Sequence, residues 1–202
     1  MAVNLQKGQK VNLTKSDGST LKHAMVGLGW DEAEKKGGGG LLSSIFGSKG
    51  EDIDCDATAF LCRDGHLKSV DDIVYFGNLR HSSDAVRHMG DNLTGEGEGD
   101  DEQIFVDLTS LPSDCDKIVF VVNIYKCASR KQHFGMIKNA FIRIVDADTG
   151  TELLKYNLSE NYEGKTAMVF GEIYRYKDQW KFNPIGQATD DKDIEGLAKR
   201  VR

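Results

Sequence analysis

Residues Asp52–Cys62 read DIDCDATAFLC. The first five alternate strictly, and a period of two marks an extended strand. Asp52, Asp54 and Asp56 fall on one face, with Ile53, Cys55 and Ala57 on the other. The segment then enters an apolar run, Ala57–Cys62. Comparable runs recur along the chain: Val11–Leu13, His23–Trp30, Asp72–Phe76, Gln103–Leu108, Lys117–Tyr125, Phe141–Val145, Glu152–Asn157, Thr166–Tyr176 and Trp180–Pro184. Glycine and Asp/Asn/Ser turns separate them, and helical periodicity is sparse. This spacing predicts a mainly β fold, a β-sandwich of two sheets with one or two short helices. Ser83–Met89 and Ser129–Asn139 are predicted to hold those helices. Asp191–Arg202 reads as a weakly helical tail, with Ile194, Leu197 and Val201 on one side, expected to pack loosely or fray.

The chain has 202 residues, of which 39% are apolar, with nine Phe, six Tyr and two Trp. That suits one large all-β domain with a real core, placed at residues 1–190. The run EKKGGGGLLSSIFGSKG (34–50) interrupts the rhythm. Four consecutive glycines cost too much backbone entropy for a strand or helix, so it reads as a flexible insertion, a linker or a docking segment. No GK[ST] follows the glycines, which excludes a phosphate loop. No apolar run reaches the ~18 residues of a membrane span, and MAVNLQKGQK lacks a signal-peptide centre. Cys55, Cys62, Cys115 and Cys127 have neither CxxC spacing nor a secreted-domain framework, and are expected to be buried thiols in a reducing cytosol. A net charge of −6 without a basic run argues against nucleic acid.

That charge is concentrated. Gly90–Glu102, GDNLTGEGEGDDE, carries six carboxylates and no cation, so the remaining residues sum to zero. Such a segment either stays a solvated acidic loop or wraps a hard cation. Ca²⁺ takes ~6–8 oxygens at ~2.3–2.6 Å, and glycines let the backbone turn tightly and add carbonyls. The Asp52/Asp54/Asp56 row favours the cation. Its carboxylates lie ~6.8 Å apart along the strand, close enough for an ion to join neighbours. Neither cluster is an EF-hand: from Asp52, position six is Ala57 and position twelve Arg63; from Asp91, positions three and five are Leu93 and Gly95. Asp146–Gly150 resembles a calcium loop but lies between two strand-like runs, and reads as a hairpin turn.

With both clusters in view, the chain resembles the TerD family of bacterial tellurite-resistance and general stress-response proteins. Gly90–Glu102 is similar to that family's acidic glycine loop, and Asp54–Thr58 (DCDAT) to its D-x-D-A-S strand start. Val26–Asp31 (VGLGWD) is similar to its glycine-tryptophan-aspartate strand, and Arg130–Ile137 (RKQHFGMI) to its R-x-Q-x-F-G segment. Ala167–Arg175 with Trp180–Phe182 is similar to its final hairpin. The resemblance runs in order over residues 2–187; the insertion is the main departure. It implies a β-sandwich binding about two Ca²⁺, with no catalytic activity. It also implies a cytoplasmic location, or one peripheral to the inner face of the membrane. The partners implied are other stress-operon proteins, including a membrane-embedded one.

Carried over residue by residue, the resemblance implies Asp54 and Asp56 as strand ligands. Asp91, Asn92, Asp100, Asp101 and Glu102 would come from the loop, with Thr94 and glycine carbonyls filling gaps. At most one of Glu96 and Glu98 coordinates, and Glu98 completes the set. Asn78 is either a neutral ligand or a turn residue. Asp31 ends a strand expected to pair with the one starting at Asp54, and would reach the same ion from there. His81 and His88 are read as surface or hydrogen-bonded residues, and Arg130 as pairing with a carboxylate. Two other functions compete with a non-catalytic calcium protein. A metal-dependent hydrolase would need a base and a cation facing substrate, whereas these clusters bring only negative charge. A Ca²⁺-dependent anionic-lipid docking module would need an open coordination sphere.

Overall fold

The computed structural model describes residues 2–15, 17–32, 52–90 and 99–202. The insertion at 34–50 and the loop residues Asp91, Asn92, Thr94 and Glu98 lie outside them. Twelve strands are described: β1 (Val3–Leu5), β2 (Val11–Asn12), β3 (His23–Glu32), β4 (Cys55–Cys62), β5 (Ile73–Val74), β6 (Val86–His88), β7 (Glu102–Asp107), β8 (Lys117–Ile124), β9 (Ile137–Asp146), β10 (Thr151–Asn157), β11 (Ala167–Tyr176) and β12 (Gln179–Thr189). They form two six-stranded sheets, ordered β1-β10-β9-β3-β7-β6 and β2-β12-β11-β8-β4-β5. The first sheet is antiparallel except for the β1–β10 pair. A sandwich of two sheets with short helices is the architecture predicted above.

Between the sheets lies one large core, to which β3 contributes Ala24, Val26 and Leu28, β8 Ile118, Phe120 and Val122, and β11 Met168 and Phe170. In β4 the alternation sends Cys55, Ala57, Ala59 and Leu61 into this core. Asp56, Thr58, Phe60 and Cys62 therefore face outward, yet all eight residues of β4 are buried. For Phe60 and Cys62 the reason is a second helix. Besides α1 (Cys127–Arg130), the chain ends in α2 (Ile194–Val201), which lies on the outer face of the second sheet. There Leu197 and Ala198 pack with Phe60, Cys62, Val119 and Val121.

The tail is therefore docked where fraying was expected. Leu197 is only 1% exposed. The Asp193 side chain caps the first turn by accepting from the Gly196 amide (2.9 Å), and Lys199 and Arg200 lie in the last turn, where cations suit the helix dipole. Arg200 also pairs with Asp191. The expected helix at Ser83–Met89 is absent, because Val86–His88 instead extends the first sheet as edge strand β6, paired with β7. Tertiary pairing wins over weak local preference there. Asp146–Gly150 is the predicted hairpin turn: Gly150 N–H donates to the Asp146 carbonyl (2.8 Å), and the Asp146 carboxylate accepts from Thr149 and Lys15. All four cysteines are buried and free.

Candidate metal centre

Two glycines of β3 build the floor of the site. Gly27 and Gly29 alternate with core residues and so face out of the first sheet, beside Arg143 and Phe141 of β9. A Cβ on Gly27 would lie 2.3 Å from the Asp100 carboxylate, and one on Gly29 would lie 2.5 Å from the Phe141 ring and 2.7 Å from the Gly99 carbonyl. The bare backbone is thus a bed for the C-terminal end of the acidic loop. On it, Asp100 meets the Arg143 guanidinium as a two-pronged fork, at 2.7 and 2.9 Å, the geometry in which arginine holds carboxylates best. Gln103 donates a further bond to Asp100 (3.1 Å), and Arg143 reaches on to Glu152 (2.8 Å). The Asp100 side chain is fully buried in this arrangement.

The next two acids point elsewhere. Asp101 turns sideways: its amide donates to the Leu28 carbonyl (2.8 Å), and its Oδ2 accepts from the Trp30 amide (2.7 Å). Burial pushes its carboxyl above the ordinary aspartate range, and the charges of Asp31 and Asp100 add to this, against the Trp30 bond. Among the described residues no Lys, Arg or His pairs with Asp101. Glu102 points inward, 1% exposed, with its Oε2 2.8 Å from His88 Nε2.

Across the sandwich, β4 begins with Cys55, whose side chain enters the core. The Cys55 thiol is pushed far up by burial, and next by the carboxylates of Asp56, Asp54, Asp101 and Glu102. The strand cluster and the loop's end, nearly fifty residues apart in sequence, thus act on one buried thiol. Asp56 is 5% exposed and opposite Asn123 of β8. Asp54 has Arg130 Nη1 3.8 Å from its Oδ2, the structural pairing expected of that arginine.

The structure rearranges the expected constellation in three places. Asp31 does not sit on a strand paired with β4: β3 pairs with β7 and β9 in the first sheet, and β4 with β5 and β8 in the second. Asp31 approaches from its own side and accepts from the Asn139 side chain (2.7 Å), while its charge reaches Asp101. Asp100 is engaged by Arg143. Asn78 closes a turn: it bridges to Tyr75, and its side-chain amide donates to the Ile73 carbonyl (2.8 Å). His81 and His88 are hydrogen-bonded or ion-paired and buried, but on loop and strand: His81 Nε2 lies 3.2 Å from Asp72 Oδ1. Sequence reasoning missed Arg143, the Trp30 amide and the partner of His88. The usable signal was Gly27-x-Gly29, since glycines on one face of a strand mark a close approach.

Chemically, the assembled groups are hard oxygens. Cys55 faces the core, and its raised thiol argues against a thiolate ligand. Asp31, Asp54, Asp56 and Asp101 are the donors a Ca²⁺-sized cation takes. Among the described residues no three His, Cys, Asp or Glu side chains converge as a cage for a metal ion.

A twelve-stranded sandwich with an acidic loop seated on a Gly-x-Gly strand defines the class, and a family comparison agrees: the TerD domain matches residues 1–200, and the chain belongs to that family. Among its relatives, Stress response protein SCP2 of Bacillus subtilis (strain 168) is 49% identical, over 99% of both chains. Tellurium resistance protein TerD of Serratia marcescens is 43% identical over 93% of this chain and 91% of its own. A crystal structure of a homologue of telluride resistance protein (TerD) from Streptomyces coelicolor A3(2) superposes with a TM-score of 0.65 at 18% identity, over 90% of this chain and 98% of that one, which supports the fold. The family is one of tellurium-resistance and stress-response proteins. No helix among the described residues is long and apolar enough to cross a membrane.

Proposed function

We propose that this chain is a non-catalytic calcium-binding member of a bacterial stress-response system, working in the cytoplasm or at the inner face of the membrane with other products of its operon. The observation that carries the reading is Asp101: a partly buried carboxylate, raised by burial and by two neighbouring acids, with no cationic side chain paired to it among the described residues. A bound cation would remove that penalty. In this reading Asp101 and Asp31 from one sheet, and Asp54 and Asp56 from the other, supply fixed oxygens. Asp91, Asn92, Thr94 and Glu98 complete a shell for about two ions. Asp100 and Glu102 instead anchor the loop's end through Arg143 and His88. The role of the ion is to tie the loop to both sheets, a device by which calcium concentration sets local order.

The test is calorimetric titration of metal-stripped protein with Ca²⁺, with Mg²⁺ as competitor. Saturable Ca²⁺ binding that Mg²⁺ displaces poorly is expected, since Mg²⁺ demands tight octahedral geometry and dehydrates reluctantly. Equal affinity for the two ions, or no heat at all, overturns the reading.

A further inference from the structure

The outer face of the second sheet is covered by α2 only where Phe60, Cys62, Val119 and Val121 lie. Further along, in the β11–β12 hairpin, Ile173 and Phe182 enter the core. Their neighbours point outward: Tyr174 facing Lys181, then Tyr176 facing Gln179. Lys10, just before β2, reaches the same face, its Nζ 5.8 Å from the centre of the Tyr174 ring. The Nζ atoms of Lys181 and Lys177 lie 4.5 and 5.6 Å from the centre of the half-exposed Tyr176 ring. Among the described residues none of these three lysines forms an ion pair. Next to them, Lys117 and Glu172 line one cleft with Arg200 and Arg202 from the end of α2. Glu172 is held by Lys117 (3.7 Å) and by the Asn183 amide (2.9 Å), and Asp191 by Arg200.

In a chain of net charge −6, these cations stand far from the acidic cluster. Cys62 and Tyr174 both face Lys117 at the start of β8, whereas Cys55 faces Ile124 at its end. It is on Cys55 that Asp54, Asp56 and Asp101 act. Eight residues of strand separate the two ends by roughly 23 Å, well beyond the ~8 Å at which physiological salt screens exposed charges. The acidic loop therefore does not neutralise the basic face. We propose that this face docks the protein on an anionic phospholipid surface, without calcium. The inference rests on the membrane-peripheral placement in the reading above and makes no use of the ion. Two features favour lipid over nucleic acid. Both tyrosine rings already carry ammonium groups, so the faces on which bases would stack are occupied. Lysine is a flexible point charge whose long stem lets it follow mobile headgroups, and tyrosine suits a surface apolar on one side and wet on the other.

The experiment is cosedimentation of the full chain with vesicles of phosphatidylcholine alone or mixed with phosphatidylglycerol. Binding is expected only to the mixed vesicles, equally in Ca²⁺ and in chelator, and lost at high salt. A basic residue near such a surface contributes roughly five-fold in partitioning, so Lys177→Gln with Lys181→Gln should weaken binding about twenty-fold or more. Lys131→Gln with Lys138→Gln removes the same charge at the acidic end, where Lys131 follows Arg130 and Lys138 faces Asp31, and should leave binding intact. Equal losses in the two double variants would show a response to net charge alone and overturn the proposal. Binding that needs Ca²⁺ also overturns it, as does binding to a single-stranded RNA with none to vesicles. Calorimetric Ca²⁺ titration of the same samples separates the two readings. Calcium uptake without vesicle binding overturns this inference alone; vesicle binding without calcium uptake supports it and overturns the calcium reading.

Discussion

Gly27→Ala tests the bed on which the acidic loop ends. The new methyl would stand 2.3–2.4 Å from the Cγ, Oδ1 and Oδ2 atoms of Asp100. Non-bonded contacts relax only near about 3.5 Å, so the carboxylate must retreat by about 1 Å. Its bonds to Arg143, now 2.7 and 2.9 Å, would then exceed hydrogen-bonding range in at least one prong. A charge-assisted bond of this kind contributes about 1.5–3 kcal/mol. Alanine offsets about 0.5–1 kcal/mol of that, because glycine is the poorer strand residue. The net expectation is a loss of about 1–2 kcal/mol, read as a lower urea midpoint at unchanged slope. The decisive measurement is the double-mutant cycle with Asp100→Ala. Once the carboxylate is gone, the three atoms nearest the methyl are gone with it, and Gly27→Ala should become neutral or slightly stabilising. If Gly27→Ala costs the same in both backgrounds, the glycine is not there for Asp100, and the account of the bed is wrong.

Three further outcomes are expected. Asp101→Asn keeps the acceptor for the Trp30 amide but removes a charge whose folded pKa lies above the ordinary 3.8. That charge costs stability at neutral pH, and the cost fades as pH falls through the folded value toward 3.8. In chelator the variant should therefore melt at or above wild type near pH 7, with the gap closing in acid, while in Ca²⁺ it should melt lower. Asp72 is the opposite case: burial would raise it, but hydrogen bonds from Arg63 and His81 outweigh this and hold it below 3.8. Its contribution is present above that value and lost as pH falls through the folded one, so Asp72→Asn should cost about 2–4 kcal/mol near pH 7 and little in strong acid, by denaturant melts across pH. Truncation after Asp190 should uncover the apolar strip that Leu197 covers. Burial of a leucine alone contributes about 1.5–3 kcal/mol, so the melting temperature should fall and light scattering should report self-association.

How legible this was depended on whether the cause lay within a strand or between elements. Period two located most strands, because alternation reports burial directly; β3, β4, β7 and the β11–β12 hairpin needed nothing else. It failed where the covering element was remote. The apolar outer half of β4 is explained only by α2, more than 130 residues away, and α2 itself looked feeble because its stability comes from docking. The site was legible as composition and illegible as geometry. Six acids in one loop announced a charge problem, but adjacent residues in extended chain point to opposite sides. Which acid met Arg143, which met His88 and which was left over is decided by pairing with β3. The mistaken partner for β3 had the same origin: consecutive strands were assumed to be neighbours, and here they belong to different sheets.

Asp100, Asp101 and Glu102 are chemically near-interchangeable, yet each has a separate address: the outer face, the turn and the core. The addresses belong to positions along the backbone, not to the side chains. Exchanging one acid for another at any of them is a modest change, but deleting or adding one residue just before Asp100 would rotate every address by one step. It would send a carboxylate into the core without its histidine and leave Arg143 facing whatever residue followed. In this stretch the chain should accept spelling errors far better than frame errors, and a survey of sequence variants should find length held more strictly than composition.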